Sequence, residues 1–217
     1  MEAAFKDQST CSTLAEKQKK VDIVAEKREE IVKYEKEIDK FVDLGHILLR
    51  VSSVERLKPL VTQLSNRYQN LHVLSKEASG KWCGISADHK SYESKLAEHS
   101  TWLNSIKIRL ENVSREQDYD ERQNLLNHLL GERDQANHRI TSITSLGERL
   151  YPYTATQGRE KVRQDLKQHR EHWEKIEVGI LDQQRVQDAR VQQSTALQDS
   201  IASARSWLET IEKQHPP

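Results

Sequence analysis

The sequence predicts an all-α chain: tandem three-helix coiled-coil repeats joined by continuous helices into an elongated rod. Three observations carry this. Trp102-Leu103 in HSTWLNSI recurs as Trp207-Leu208 in ARSWLETI, 105 residues later, and Tyr68 in NRYQNL recurs as Trp173 in REHWEKI at the same spacing. So long a common period marks a supersecondary unit of several helices. Because 105 is fifteen heptads, an apolar stripe can cross the repeat boundary without changing phase. Composition agrees. Only 35% of the 217 residues are apolar and 31% are charged, too polar a balance for one large globular core. Seven glycines and four prolines are too few for the turns of an all-β chain.

The elements follow in order from the heptad bookkeeping. Val24, Ile31, Ile38 and Gly45, with Tyr34, Phe41 and Leu48, form the stripe of a first long helix. After the compact connection VSSVERLKP, one row runs Leu57, Leu64, Leu71, Ala78, Ile85, Tyr92, His99, Ile106, Val113. Its companion runs Val61, Tyr68, Ser75, Trp82, His89, Leu96, Leu103, Leu110. The unbroken phase predicts one helix from about Val54 to about Val113, roughly 90 Å long at about 1.5 Å per residue. Gly80 and Gly84 flank Trp82, each costing about 1 kcal/mol relative to alanine, and are candidates for a bend. ENVSREQDYD reads as a turn with Asp118 or Asp120 as helix cap.

The next helix carries Leu126, Arg133, Ile140 and Gly147, with Leu129, Ala136, Ile143 and Leu150. Here the copies match at an offset of 102, so Leu44-Gly45 aligns with Leu146-Gly147. The missing three residues fall in the following loop, where YPYTATQGRE breaks the pattern with Pro152 and Gly158. The last helix repeats the double row through Val162, His169, Ile176 and Gln183 to Leu197, Ala204 and Ile211, alongside Leu166, Trp173, Ile180, Ile201 and Leu208. Between Gln183 and Ser194 the row turns polar, predicting exposure where the helix changes partners.

Charge and motifs exclude several function classes. Lys plus Arg and Asp plus Glu number 34 each, giving no net field for nucleic acid or anionic lipid. The longest stretch without a charged side chain is nine residues, and the N-terminus lacks a signal-peptide layout, so a cytoplasmic chain without membrane insertion is expected. Cys11 and Cys83 fit neither a disulfide framework nor a metal pattern and read as free thiols. No phosphate loop, nucleophile elbow or HExxH occurs, and the reading is of a protein that is not an enzyme and takes no cofactor. His169 and His172 come closest to a metal pair, yet no third ligand is placed by spacing, and no metal is expected. His89 and His99 occupy seam positions and are expected to titrate near neutral pH. Asn112-Val-Ser fits a glycosylation pattern without consequence for a cytoplasmic chain.

A helix with Trp-Leu, a loop, a helix of about thirty residues, a loop, and a third helix with an aromatic in mid-course make up each unit. This resembles the spectrin repeat, a left-handed three-helix coiled-coil bundle, over almost the whole chain. The resemblance rests on Trp102-Leu103, on Leu125-Leu126-x-His128 and Leu146-Gly147-x-x-Leu150, and on Leu166 with Trp173, which lies 71 residues after Trp102. In the first copy Tyr68 stands where the third helix would carry Trp. The resemblance assigns Tyr68, Trp102, Leu103, Leu166, Trp173, Trp207 and Leu208 to the structural core. On this reading residues 14–87 are the second and third helices of one repeat, 88–190 a complete repeat, and 191–217 the first helix of a following one. Only Phe5 could belong to the end of a helix preceding residue 14.

The resemblance implies a non-enzymatic spacer and docking platform within a giant cytoskeletal linker, cytoplasmic or at the outer nuclear membrane through its parent. The period and the continuous junction helices look most like giant nesprins, which connect the nuclear envelope to actin in the LINC complex; spectraplakins and dystrophin stay open. Implied partners are neighbouring spectrin repeats and the actin cytoskeleton or its regulators, such as a formin or motor adaptor. A recruitment module is the alternative, and Tyr119, Tyr151 and Tyr153 in the loops are its candidate partner surface. Because a repeat cannot bury its stripe alone, the helix bearing Trp207 and Leu208 is expected to dock on the Tyr34, Phe41, Tyr68 face of a neighbouring molecule.

Overall fold

The computed structural model describes residues 2–51 and 56–214, the side chains of Glu212 and Gln214 excepted. Five helices account for nearly all of them: α1 (Glu2–Phe5), α2 (Leu14–Val51), α3 (Leu57–Arg115), α4 (Tyr119–Leu150) and α5 (Thr156–Gln214), with a short 3-10 turn at Tyr151–Tyr153 before α5. No strand occurs among the described residues, and the long helices pack on one another. No described helix is long and apolar enough to cross a membrane. Of the connection VSSVERLKP, residues 52–55 lie outside the described residues, as does the expected helix start at Val54.

Local chemistry sets the helix ends. At α2, Thr13 Oγ1 accepts the Glu16 backbone N–H at 3.2 Å, while Glu16 Oε2 accepts the N–H groups of Ser12 and Thr13 at 2.6 and 3.4 Å. These reciprocal bonds satisfy donors that no helical carbonyl can reach. At α4 the cap is Asp118, not Asp120: its Oδ1 accepts the Glu121 N–H at 2.8 Å. Asp120 already lies inside the first turn, where its carboxylate faces the positive end of the helix dipole. Pro59 is the third residue of α3, where a missing N–H costs nothing.

The chain forms two compact units: residues 1–96 with 143–166, and residues 97–142 with 167–217. The first unit holds one apolar cluster of Phe5, Cys11, Val24, Ile31, Ala78, Trp82 and Ile85, flanked by Tyr68 and Leu71, and another of Tyr92, Ile143, Leu150 and Val162, flanked by Leu166. The core of the second unit draws Trp102, Leu103, Ile106 and Val113 from α3, Leu126, Leu129 and Ala136 from α4, and Trp173, Ile176 and Ile180 from α5. Three helices thus converge on one apolar seam, as the 3.5-residue spacing requires.

The two copies share a backbone approach. A Cβ on Gly45 would lie 2.5 Å from Val61 Cγ2, and one on Gly147 would lie 3.0 Å from both Leu166 Cδ1 and Val162 Cγ1. Glycine lets the helices meet there. A Cβ on Gly80 or Gly84 would meet nothing within 4 Å, and both residues sit inside the uninterrupted helix α3.

Two expectations need correction. Trp207 and Leu208, placed in the core by the repeat, are exposed, as is every described side chain from Asp188 onward. No second helix lies against that stretch of α5 among the described residues. Conversely, the polar part of the seam is not exposed at its start. Gln187 is buried, and Gln183 Oε1 accepts a 2.7 Å bond from the guanidinium of buried Arg122.

Candidate docking surfaces and buried polar clusters

The aromatic centre of the second unit is built from all three of its helices. Trp102 stacks on Trp173 with ring centroids 5.2 Å apart and planes at 25°. The Trp102 indole N–H donates to Glu132 Oε2 at 2.9 Å, and Arg109 donates to the other oxygen, Oε1, at 2.8 Å. Arg139 lies 5.0 Å above the Trp102 ring. These two donors hold the Glu132 carboxyl below its usual pKa, the Trp102 bond being the larger influence. A buried indole keeps its N–H satisfied, which fixes the ring's orientation in the seam.

One heptad position earlier, His99 Nδ1 lies 3.0 Å from His169 Nδ1, and Ser100 Oγ lies 3.4 Å from His169 Nε2. His99 is buried and its Nε2 has no partner. Burial, then the nearby His169, Arg139 and His172, pushes its pKa down to about 4. The expected titration near neutral pH is therefore corrected: a buried imidazole surrounded by cationic or potentially cationic groups stays neutral. His89 behaves alike, lowered to about 4 by burial and then by Lys17. No group of three metal-capable side chains occurs among the described residues.

The first unit contains a polar cluster that the sequence pattern does not announce. Lys17 is fully buried, and its Nζ donates to Thr154 Oγ1 at 2.8 Å; Thr154 in turn donates to Leu150 O at 2.6 Å. The Ala155 N–H donates to Cys11 O at 3.2 Å, pairing the segment before α2 with the turn before α5. Burial lowers the Lys17 pKa and raises that of Cys11. A signal for Lys17 was present: it lies one heptad before Val24 in the α2 stripe. Thr154 gave none, since its role depends on a contact distant in sequence. Cys83 is an exposed free thiol.

The remaining sequence-predicted residues are distributed as follows. Leu103 and Trp173 are buried, Leu166 is half-buried, and half-buried Tyr68 donates its hydroxyl to Ile31 O at 3.2 Å. Tyr119 and Tyr153 are exposed, whereas Tyr151 packs on the Tyr92 cluster with Arg163 5.4 Å above its ring. Tyr119 opens α4 and Tyr151 follows its last residue, so the three do not gather at one end of that helix. Larger apolar surfaces lie elsewhere. One is on α2 and the start of α3, where Tyr34, Phe41, Leu44, Ile47 and Leu60 are exposed beside an open groove lined by Ile38, Leu64, Tyr68 and Leu71. The other is the stripe Leu197, Ile201, Trp207, Leu208 and Ile211 on α5. Exposed apolar surface of this kind is found at protein, membrane and ligand contacts alike.

No family model matches the chain, and no solved structure matches it. The chain is 39% identical over 212 residues to Muscle-specific protein 300 kDa of Drosophila melanogaster. That alignment covers 98% of the chain but only 2% of the relative, so the chain spans about one-fiftieth of that protein's length. With its all-helical architecture and 105-residue internal period, it is similar to one small segment of a very large muscle-specific protein.

Proposed function

We propose that this chain is a non-enzymatic segment of a giant cytoskeletal linker, serving as spacer and docking platform, and that its parent is of the nesprin type, tying the nuclear envelope to actin. In this reading residues 14–87, 88–190 and 191–217 are two helices of one repeat, a complete repeat, and the first helix of the next. The observation that carries it is that α3 and α5 each run 59 residues without interruption, with apolar rows in one phase. Such helices link successive packed units through backbone alone. Similarity along 98% of the chain to a muscle-specific protein supports a load-bearing setting. Neighbouring repeats, actin, a formin or a motor adaptor are the partners the reading supplies.

Held by its two ends in an optical trap, the spacer should unfold and refold reversibly over repeated extensions. Irreversible collapse after the first pull would contradict the role. Exposure of Tyr119 and Tyr153 favours recruitment as a second reading. Loss of a captured muscle protein on changing both to serine would support that reading over the plain spacer.

A further inference from the structure

We infer that the exposed stripe of α5, residues 194–211, seats in the α2–α3 groove of a second copy of this chain, in one register that the chain itself displays. The template is internal. At the 105-residue offset, α5 residues 194–211 are the counterparts of α3 residues 89–106; at 105 and 102, the α3 and α2 groove residues are the counterparts of α5 and α4. Burial differs between counterparts along this helix and at the aromatic positions of the groove. Trp102 and Leu103 are 9% and 0% exposed, against 63% and 51% for Trp207 and Leu208. On the receiving side, Ala136 and Ile143 are 0% and 4% exposed, against 55% and 59% for Tyr34 and Phe41. The uncovered positions on α5 and on the groove are thus complementary halves of a contact the chain makes once already.

The register is specified by polar and steric detail. In the template Glu132 Oε1 accepts from Arg109 and Oε2 from the Trp102 indole N–H. Its counterpart Glu30 accepts from Lys27 Nζ at Oε1, 2.7 Å away, leaving Oε2 for the Trp207 indole N–H. Trp207 then stacks on Tyr68, the counterpart of Trp173. The pair of buried His99 and half-buried His169 is replaced by Ala204 and Leu64, so both sides of that contact change together from polar to apolar. Arg139, which covers Trp102, has Glu37 as its counterpart, so that cation–π contact is not copied.

Phe5 of α1 is the counterpart of Leu110 and is buried at the Leu71 end of the groove. Ile211 is the counterpart of Ile106, four residues before Leu110, so the apolar stripe of a docked α5 stops short of the place that Phe5 fills, while its last turn, to Gln214, falls level with α1. The contact is heterologous, joining the tail of one copy to the groove of the next, so copies add in an open series.

Analytical ultracentrifugation of the intact chain from about 1 µM to about 1 mM tests it. The weight-average mass should climb past the dimer without a plateau. Trp207→Glu and Phe41→Glu change residues exposed in the single chain, so each variant should stay folded by circular dichroism, and each alone should remain monomeric. Mixed, Phe41→Glu supplies an intact tail and Trp207→Glu an intact groove, so the pair should form a dimer and stop there. Glu30→Gln should weaken association of the otherwise unaltered chain several-fold. A parent chain that stays monomeric throughout, leaving the groove to a different occupant, overturns the inference. So does association that survives both glutamate variants, or a mixture that stays monomeric.

Discussion

At the residue scale the seam is not uniformly apolar, and its polar members follow from what surrounds them. His89 and His99 are buried and neutral, each with a pKa near 4, against about 6.5 in an unfolded chain. Between those values the unfolded state binds more protons, so stability rises with pH across the window and falls as pH drops from about 6.5 to about 4. Each histidine contributes on the order of 3 kcal/mol to that acid loss. Replacing the His99–His169 pair by the Ala and Leu that stand at Ala204 and Leu64 should roughly halve it. Urea midpoints at pH 7 and pH 4.5 read this directly; an unchanged acid limb would mean that His99 is not the titrating group. His89 and His99 are identifiable in the sequence as seam residues, but their pKa direction is not. Heptad phase tells which face a residue occupies; the burial and the neighbours His169, Arg139 and Lys17 that set its charge come from other helices.

At the element scale, the period of seven carries most of the information. The rows through Leu57 and Val61 mark α3 to within three residues of its described start and two of its end. The break at Pro152 and Gly158 marks the turn before α5. Less legible are the ends set by side chains. The capping bonds of Thr13 and Glu16 leave no mark on the heptad pattern, and Asp118 rather than Asp120 caps α4. The glycines separate by environment. Gly80→Ala and Gly84→Ala add a methyl into open space and should each stabilise α3 by about 1 kcal/mol. Gly147→Ala presses on Leu166, Val162 and Tyr92 and should destabilise by about 1–3 kcal/mol. Thermal melts of the three variants should move in opposite directions; a rise for Gly147→Ala would remove the close-approach argument.

At the scale of the whole molecule, one design is used twice with different degrees of coverage. Trp102 and Trp207 belong to the same motif, yet the first is stacked on Trp173 and the second faces solvent. The motif and its period are visible in the sequence. Which copies find partners depends on helices brought together from distant parts of the chain, and Lys17 with Thr154 shows the same dependence. Hydrogen–deuterium exchange measured at low and high protein concentration tests this most directly. At low concentration, residues 191–211 should exchange far faster than their counterparts 86–106, because only the latter are packed on neighbouring helices. At high concentration, protection should rise in residues 194–211 and together with it around Tyr34, Phe41 and Tyr68. Equal protection of the two Trp-Leu segments in dilute solution would contradict the account.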